Sequence, residues 1–347
     1  MTNKLRWGIL STAKIGMRQV IPAIKQSRNG IAVAIASRDG DRELAAVRAL
    51  GVPRAFGAYQ DLLESDEIDA VYIPLPNSMH REWTIRAAEC GKHILCEKPF
   101  ALNLAETDEM IAAARQHNVV LMEAFMYRFH PQYARVRELI ARGALGDLQM
   151  IRSAFCFRLD DLANIRLQKN LGGGSLMDVG CYCVNQARFI FDAEPRAVQA
   201  RAVFGAQSQV DELFAGILHF PGDVLAHFDS GFRQSYREML EIVGSRARIE
   251  LARPIKPGMT GGVGTLTLTR ADDTSETIQT EPVNHYQLMC EHFAEVVQKR
   301  APLVYQPELD RGNMRVIDAF SRGAEWKSGR GRVRKRSSDW GEHFSQA

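Results

Sequence analysis

The sequence lacks the features that place a chain in or across a membrane. It has no apolar run of about 18 residues, the length at which a membrane-spanning helix is expected, and its first segment, MTNKLRWGIL, does not resemble a secretory signal. Lysine and arginine (44) nearly balance aspartate and glutamate (41), so that the net charge is only +3. We therefore expect neither a membrane nor a nucleic-acid partner.

The sequence also lacks paired cysteines. Its six cysteines stand at positions 90, 96, 156, 181, 183 and 290, and none of them forms a CxxC pair. Cys181 and Cys183 have no partners at zinc-site spacing. This pattern predicts reduced, buried thiols in a cytoplasmic protein and no metal site.

The first part of the chain alternates short apolar strands with helices. The predicted strands cover residues 5–10, 31–37, 70–74, 93–96 and 119–124, and helices are predicted at 15–27, 42–50, 59–63, 80–90 and 104–117. Strands that are apolar throughout, separated by helices, are typical of a parallel sheet with both faces covered. We predict an α/β fold whose N-terminal domain, residues 1–126, is a doubly wound Rossmann unit.

The pattern changes after this region, where strands follow one another with hairpin-like turns. Strands are predicted at 148–158, 197–204, 213–220, 224–232, 239–244, 248–251 and 264–270, and helices at 175–191, 285–299 and 307–326. Such an order predicts an open, mostly antiparallel sheet. Residues 127–326 are therefore predicted to form a second α/β domain, and residues 327–347 a basic C-terminal tail that is either a solvated terminus or, less simply, a docking segment.

The turn after the first predicted strand lacks two of the three glycines in the dinucleotide fingerprint G-x-G-x-x-G. Ser11, Ala13 and Gly16 occupy the three positions. Small side chains still let the backbone approach a pyrophosphate, and the N–H groups of the helix start still face the anion. By itself this pattern fits a ligand-free strand–helix turn equally well.

The end of the second predicted strand favours NADP over NAD. An NAD site usually has an acidic residue here, which binds the ribose hydroxyls. This sequence has Ser37 and Arg38, and an arginine pairs with the 2′-phosphate that distinguishes NADP. Two points oppose the NADP assignment. Asp39 is adjacent and is acidic, as in an NAD site, and Arg38 could be an ordinary surface charge.

Two further segments carry groups suited to proton transfer. Glu97-Lys98-Pro99 follows a buried strand at the edge where parallel sheets bind ligands, so Lys98 is predicted in the crevice with a lowered pKa. In Gly172–Tyr182 a glycine loop leads into a helix that places Asp178 and Tyr182 on one face. A tyrosine beside a lysine is expected to have a lowered pKa and to act as a general base, although a helix cap and a buried tyrosine would show the same spacing.

Taken together, these motifs resemble the Gfo/Idh/MocA oxidoreductases. The resemblance covers about residues 4–326 and also includes Pro76-Asn77-x-x-His80 and the segment from Glu123 to Pro131. Within the family, WGILSTAKIG, NIRL at 164–167 and the Asp178/Tyr182 pair are most similar to NADP-dependent D-xylose dehydrogenases and dimeric dihydrodiol dehydrogenases. Met126 stands where we associate a tryptophan with the dihydrodiol enzymes, which puts an aromatic substrate in doubt.

The resemblance implies a role for each matching residue. The catalytic residues would be Lys98, Tyr182 and Asp178. The residues that line NADP would be Ser11, Thr12, Ala13, Lys14, Ile15, Gly16, Ser37, Arg38, Leu75, Asn77, His80, Glu97 and Lys98. The substrate pocket would contain Met126, Arg128, Phe157, Asn164, Arg166, Asp178 and Tyr182.

The function that follows is hydride transfer between NADP and a hydroxyl-bearing carbon of a sugar, such as D-xylose or another aldose, or of a related diol. Two alternatives stay open: a ketoreductase of nucleotide-linked sugars, which needs a larger and more basic cleft, and a non-catalytic regulator that senses NADP. The resemblance also implies a homo-oligomer, a dimer or tetramer, with contacts through the second sheet.

Overall fold

Six parallel strands form the first sheet of the computed structural model, which describes residues 4–37, 45, 47–257 and 262–323. The strand order is β3-β2-β1-β4-β5-β6, and all five strand pairings between them are parallel. The strands are β1 (Leu5–Leu10), β2 (Gly30–Ala36), β3 (Arg54–Phe56), β4 (Ala70–Ile73), β5 (His93–Cys96) and β6 (Leu121–Glu123). The predicted Rossmann sheet is thus confirmed, and β3 is a strand that the sequence did not reveal.

The reversal of strand order between β1 and β4 creates the crevice in which such sheets bind ligands. The chain leaves β1 at Leu10 and leaves β4 at Ile73, so the segments that follow both strands lie at this crevice. The helices of this part are Gly16–Val20 (a π-helical turn), Ile21–Gln26, Tyr59–Glu64, His80–Glu89 and Leu104–Gln116, and residues 47–50 are also helical. The predicted helix at 15–27 therefore begins with a π-helical turn at Gly16–Val20 and continues as an α-helix from Ile21.

Eight strands form the second sheet, in the order β14-β13-β12-β11-β7-β10-β9-β8. Within this second sheet, as far as the chain is described, only the β7–β10 pairing is parallel. The other pairings are antiparallel, as predicted. The strands are β7 (Leu148–Arg158), β8 (Ala197–Phe204), β9 (Asp211–Phe220), β10 (Val224–Gly231), β11 (Arg233–Gly244), β12 (Ala247–Leu251), β13 (Thr265–Arg270) and β14 (Ser275–Gln279).

Helices cover one face of this second sheet. They include Leu176–Gly180 (a second π-helical turn), Cys181–Phe191 and Pro307–Gly323. The helix Pro131–Ala141 lies beside Cys181–Phe191, where Gln186 donates to the hydroxyl of Tyr133. Phe320 of the last helix lies 5.5 Å from the ring of Phe214 and 5.6 Å from that of Phe228, and all three side chains are buried. Elsewhere on the strands Val203 and Ile217 stay exposed.

One late helix returns to the first sheet. Phe293, in the helix His285–Val297, lies with its ring 5.0 Å from that of Trp7 in β1, and both are fully buried. Glu291 in the same helix accepts a hydrogen bond from the backbone of Arg28 and its own carbonyl accepts one from Asn29. The predicted division at residues 126 and 127 stays a prediction, but helix His285–Val297 is packed against the N-terminal sheet.

The predicted basic tail, residues 327–347, lies outside the described residues. No helix in the described part of the chain is both long and apolar enough to cross a membrane.

Truncation of Phe293 tests the contact between this helix and the first sheet. We expect Phe293→Ala to lower the free energy of unfolding by about 3–5 kcal/mol, because a fully buried aromatic side chain leaves a cavity. Urea titration gives the value. As a control, the exposed Leu309 is replaced by alanine, which should change stability by less than about 0.5 kcal/mol. Equal effects of the two variants would contradict the assigned contact.

Candidate active site

The turn after β1 explains why glycine is usual at its first fingerprint position. Ser11 has a φ of 93°, a left-handed value that side chains other than glycine rarely adopt. Its amide donates to the carbonyl of Ala36, which fixes the turn against β2. Its hydroxyl accepts a hydrogen bond from the amide of Ala13 at 3.2 Å. Ser11 thus adopts a strained backbone conformation, and its own hydroxyl stabilises the turn by accepting a hydrogen bond from Ala13.

The helix after this turn offers unpaired donors toward the crevice. Its first intrahelical hydrogen bond runs from Met17 N to Ala13 O, so the amides just before Met17 have no acceptor within the helix. Gly16 is buried against Tyr72 and Pro74, while Lys14 is exposed and Thr12 and Ile15 are half-buried. At the end of β2, Ser37 is buried and its amide donates to Phe56 O. Arg38 lies outside the described residues.

The loops after β4 and β5 are held together by His80, which was predicted to line the cofactor. Its side chain is fully buried, with Nδ1 2.9 Å from Pro99 O and Nε2 2.9 Å from Leu75 O. A direct contact between the imidazole and a ligand in the crevice is therefore excluded in this arrangement. His80 instead positions the two loops, since it joins one to the other.

Three other predicted cofactor residues lie in or beside these loops. Leu75 is buried, and Asn77 is half-buried and donates from Nδ2 to Gly172 O at 2.8 Å. Glu97 accepts a hydrogen bond from the hydroxyl of Tyr72 at 2.6 Å. Asn77 therefore ties the cofactor side of the crevice to the glycine loop of the second part.

Lys98 and Asp178 meet although 80 residues separate them. Lys98 Nζ lies 3.0 Å from Asp178 Oδ1 and donates to the backbone carbonyl of the same residue at 2.6 Å. Arg166 Nε lies 2.7 Å from the other oxygen, Oδ2. The side chains of Lys98 and Asp178 are each 13% exposed, so this pair is desolvated but open to a ligand. The peptide bond between Lys98 and Pro99 is cis.

Tyr182 lies directly beside this ion pair. Lys98 Nζ is 5.0 Å from the centre of the Tyr182 ring, and the ring is almost fully buried. The hydroxyl donates to Met126 Sδ at 3.6 Å, and a thioether sulfur is a weak acceptor. The hydroxyl thus makes only a weak hydrogen bond to the protein and is available to hydrogen-bond to an oxygen atom that binds nearby.

Asp211 was not found from the sequence, yet it fixes the start of the Asp178 segment. Its Oδ2 accepts hydrogen bonds from Leu176 N and from Ser175 Oγ, both at 2.7 Å. A carboxylate that accepts from the first amides of a helical segment acts as a cap. Burial raises the pKa of Asp211 to about 6. Asp211 belongs to a strand, and no local pattern in the sequence links it to residue 175.

The glycines before this segment are needed for close approach rather than for flexibility. Gly172 and Gly174 have φ values of 77° and 122°. A Cβ on Gly173 would lie 2.5 Å from the carbonyl oxygen of Arg166. The loop therefore runs against the turn Ile165–Leu167 and holds Arg166 beside Asp178.

The predicted pKa changes of the two proton-transfer candidates are wrong. Burial lowers the pKa of Lys98, but the charge of Asp178 raises it, and the pKa lies above the ordinary lysine value. Burial raises the pKa of Tyr182 well above its usual range. For Asp178, burial alone would raise the pKa, but the charges of Lys98 and Arg166 bring it well below normal. The site therefore holds an ammonium, a carboxylate and a protonated phenol.

The predicted pocket residues fall into two groups. Met126 contacts Tyr182, Arg166 contacts Asp178, and Asn164 Oδ1 accepts from Arg166 N at 3.1 Å. Phe157 is half-buried, with its ring 6.5 Å from that of Phe155, which in turn lies 5.8 Å from Tyr182. Met126 and Arg166 thus contact the site directly, whereas Asn164 and Phe157 are linked to it only through Arg166 and Phe155.

Arg128 is the exception, because its side chain lies in the interior and does not face the crevice. Its guanidinium lies 3.1 Å from Asp310 Oδ1 and donates to Asn185 Oδ1 at 2.9 Å. The side chains of Arg128 and Asp310 are only 3% and 0% exposed. Its prediction as a substrate residue is therefore not supported, since a buried ion pair with the last helix already uses its charge.

Glu123 and Asp310 place two carboxyl groups in this buried cluster. Both carboxyl oxygens of Glu123, and Oδ2 of Asp310, are buried without a hydrogen-bond partner among the described residues. Burial and the charge of Asp310 raise the pKa of Glu123 well above its usual range. A raised pKa favours a proton on this carboxyl group, which would supply a donor between the two acids.

Two family descriptions match the chain. "Oxidoreductase family, NAD-binding Rossmann fold" matches residues 5–125, and "GFO/IDH/MocA C-terminal domain" matches residues 133–250. Among curated relatives, D-xylose 1-dehydrogenase (NADP(+)) 2 of Haloferax volcanii is 39% identical over 327 residues, 92% of this chain and 98% of that protein. The trans-1,2-dihydrobenzene-1,2-diol dehydrogenase of Xenopus laevis is 35% identical over 71% of this chain and 74% of its own length.

A solved structure of similar architecture supports the same comparison. KijD10, a 3-ketoreductase of Actinomadura kijaniata in complex with NADP and TDP-benzene, superposes with a TM-score of 0.88 at 29% identity. The superposition covers 93% of this chain and 98% of that one. Both sheets are thus shared with this enzyme.

The raised pKa of Glu123 predicts a pH dependence of stability. A group whose pKa is raised on folding stabilises the protein below its unfolded pKa of about 4.3, and this contribution is lost as the pH rises. We expect the stability of Glu123→Gln, relative to the parent protein, to increase between pH 5 and pH 8. The slope for one proton is at most about 1.4 kcal/mol per pH unit.

Urea titrations at several pH values measure this difference. The exposed Glu89, replaced by glutamine, serves as the control and should follow the parent protein across the range. Parallel profiles for Glu123→Gln and the parent would show that Glu123 is ionised in the folded protein.

Proposed function

Because this chain belongs to the Gfo/Idh/MocA oxidoreductases, we propose that it transfers a hydride reversibly between NADP and a hydroxyl-bearing carbon of a sugar or related diol. The observation that carries the proposal is the meeting of Lys98 with Asp178 beside the Tyr182 ring. One group comes from the loop after β5 and the others from the segment before β8. A bound substrate would lie where the crevice of the first sheet reaches these residues.

The residues of the crevice fit a dinucleotide. The turn at Ser11 and the free amides of the first helix suit a pyrophosphate, and the opposite side of the crevice is bounded by Leu75 and Asn77. When bound, the nicotinamide ring supplies or accepts the hydride. NADP, with NAD as the weaker alternative, is supported by Arg38 in the sequence and by the NADP-dependent relatives.

The protein's own contribution is the movement of one proton. In reduction, the protonated Tyr182 donates its hydroxyl proton to the substrate's carbonyl oxygen. In oxidation, the deprotonated oxygen of Tyr182 takes the proton of the substrate's hydroxyl. Lys98 stabilises the negative charge that develops on either oxygen. Asp178 and Arg166 keep the ammonium of Lys98 in place, because Asp178 is bound from both sides.

A comparison of positions supports this pair of residues. Solved structures of KijD10 include one variant with a lysine replaced and another with a tyrosine replaced. Those two positions are 84 residues apart, as are Lys98 and Tyr182 in this sequence.

A ketoreductase of nucleotide-linked sugars is the second candidate. It is favoured by the similarity to KijD10 and to several dTDP-sugar 3-reductases, such as that of Streptomyces violaceoruber at 34% identity over 79% of this chain. A regulator without catalysis is disfavoured, because Lys98, Asp178 and Tyr182 are all present and in contact. Turnover of free pentoses and hexoses would favour the sugar dehydrogenase, and no turnover together with tight NADPH binding would favour one of the two alternatives.

We also propose that the protein is a cytoplasmic homo-oligomer, a dimer or tetramer. All six cysteines are free thiols, which suits a reducing compartment. Exposed apolar side chains on the second sheet, such as Val203 and Ile217, suit contacts between copies. The native mass in solution tests the oligomer.

Replacement of Lys98 tests the proton-transfer assignment. We expect Lys98→Ala to lower turnover about 10²–10⁴-fold, because the charge beside Tyr182 is lost. Fluorescence titration with NADPH should show cofactor binding largely retained. Lys4→Ala, at the exposed residue that precedes β1, is the matched control. Turnover of Lys98→Ala near that of the control would refute the role.

A panel of sugars and diols tests substrate and cofactor together. We expect faster turnover with NADP⁺ than with NAD⁺, followed by the absorbance of the reduced nicotinamide. Arg38→Ala should lower kcat/KM for NADP⁺ about tenfold or more and spare NAD⁺, since only NADP carries the 2′-phosphate. Faster turnover of the parent protein with NAD⁺ would show that the cofactor assignment is wrong.

A further inference from the structure

Lys98 has two carboxyl groups in its surroundings, and the structure pairs it with only one of them. Its Nζ contacts Asp178 at Oδ1 and at the backbone carbonyl. The other acid, Glu97, directly precedes Lys98, yet the two form no ion pair in the part of the chain that the structure describes. The charge of Lys98 still acts on Glu97, because it lowers the pKa of that carboxyl against the effect of burial. Something in the surroundings of Glu97 therefore keeps it away from the ammonium.

Both oxygens of Glu97 are occupied by other donors. Oε1 accepts a hydrogen bond from the hydroxyl of Tyr72 at 2.6 Å, and Oε2 accepts one from the backbone amide of Lys98 at 3.2 Å. The contact from Tyr72 has the short distance that is typical of a hydroxyl bound to a carboxylate. The carboxyl group is thus held by two donors that are not the ammonium of Lys98.

The hydroxyl of Tyr72 is placed by the first sheet. Tyr72 lies in β4, where it pairs with Leu95 of β5, and its side chain is fully buried. Its ring packs against Gly16, 3.6 Å from the position that a Cβ there would take. Glu97 follows β5 directly, and its amide donates to Ile73 O. The contact between the phenol and the carboxyl group therefore depends on the pairing of β4 with β5.

Without this hydroxyl, Glu97 and Asp178 would compete for Lys98. A buried carboxylate oxygen that has lost its donor is unfavourable, and Lys98 carries the positive charge that acts most strongly on Glu97. Asp178 would not be left unpaired by the exchange, because Arg166 binds its other oxygen at 2.7 Å. The contact from Tyr72 thus decides between two possible partners of the ammonium.

We propose that Tyr72 is a positioning residue, whose hydroxyl holds Glu97 and so keeps that carboxylate from drawing Lys98 away from the reaction site. This inference rests on the proposed oxidoreductase function, since it assigns to Tyr72 the placement of the charge that supports proton transfer. Tyr72 acts through Glu97 and not on the substrate. The effect requires the charge of Glu97, because a neutral side chain attracts an ammonium far less than a carboxylate does.

Support of the turn after β1 is the competing role for Tyr72, because its ring also packs against Gly16. The two roles belong to different atoms of the side chain. Replacement by phenylalanine keeps the ring, and with it the contact to Gly16, but removes the donor to Glu97. The affinity for NADPH then reports on the ring, and the position of Lys98 reports on the hydroxyl.

Crystal structures of the parent protein, Tyr72→Phe and the control Tyr133→Phe, all loaded with NADPH, test the placement directly. Tyr133 is also fully buried, and its hydroxyl donates to Pro254 O, so that the control removes a comparable phenol that is not bonded to Glu97. In Tyr72→Phe we expect Lys98 Nζ within about 3.2 Å of a Glu97 oxygen. In the other two proteins it should stay on Asp178. Nζ on Asp178 in all three would overturn the proposal.

Turnover measures the consequence for the reaction. We expect kcat of Tyr72→Phe to fall about 10- to 100-fold while KM and the Kd for NADPH change by less than about threefold, because only the charge beside the reacting group is displaced. Tyr133→Phe should keep the kcat of the parent. Equal kcat values for the two variants would refute the role, and so would weaker NADPH binding with a normal kcat, the result expected of a residue that only supports the turn.

A double-mutant cycle asks whether the effect needs the charge of Glu97. Tyr72→Phe is compared with the parent, and Tyr72→Phe/Glu97→Gln with Glu97→Gln, so that any effect of the glutamine by itself cancels. In the glutamine background we expect the loss of kcat from Tyr72→Phe to shrink to less than about threefold. An equal loss in both backgrounds would show that Tyr72 acts by packing and would overturn the proposal.

The crystal structures separate this inference from the function on which it rests. A shift of Lys98 to Glu97 in Tyr72→Phe alone, with a parent protein that turns over no sugar or diol with NADP⁺, would uphold the positioning role and count against the oxidoreductase assignment. Turnover by the parent, with Lys98 unmoved in Tyr72→Phe, would uphold the function and refute the positioning role.

Discussion

Asp178 is the residue on which the arrangement of the site depends, because it is bound by charges from two different parts of the chain. Lys98 follows a strand of the first sheet and Arg166 precedes the helical segment of the second part, and both contact the same carboxylate. A desolvated carboxylate with two cationic partners is costly to leave unpaired. The position of Lys98 relative to Tyr182 is therefore set by a contact that also joins the two sheets.

Much of the fold followed from the sequence, and the misses have a common cause. The buried strands β1, β4 and β5 were predicted within a residue of their observed bounds, because apolar runs between helices are a strong local signal. The strands β3 and β14 were missed, since Arg54–Phe56 is short and Ser275–Gln279 is almost wholly exposed. Helix Pro131–Ala141 was also missed, although Pro131 at its first turn and the capping His130 were visible signals.

The candidate site was predictable in identity but not in electrostatics. Lys98, Asp178 and Tyr182 were named from their motifs, and the structure brings them together. The directions of the pKa changes were wrong, because burial and the Asp178 ion pair, neither of which a motif shows, determine them. Asp211 was not predicted at all, since it reaches the site from a strand that is distant in the sequence.

The return of helix His285–Val297 to the first sheet affects how the protein is made. Domains usually fold in order as they leave the ribosome. Here Trp7 acquires its aromatic partner Phe293 only after the strands of both sheets have been synthesised. At ordinary elongation rates the gap between completion of β6 and synthesis of Phe293 is roughly 10–30 s. During that interval the apolar surface around Trp7 in the nascent N-terminal sheet lacks the helix that covers it in the folded protein.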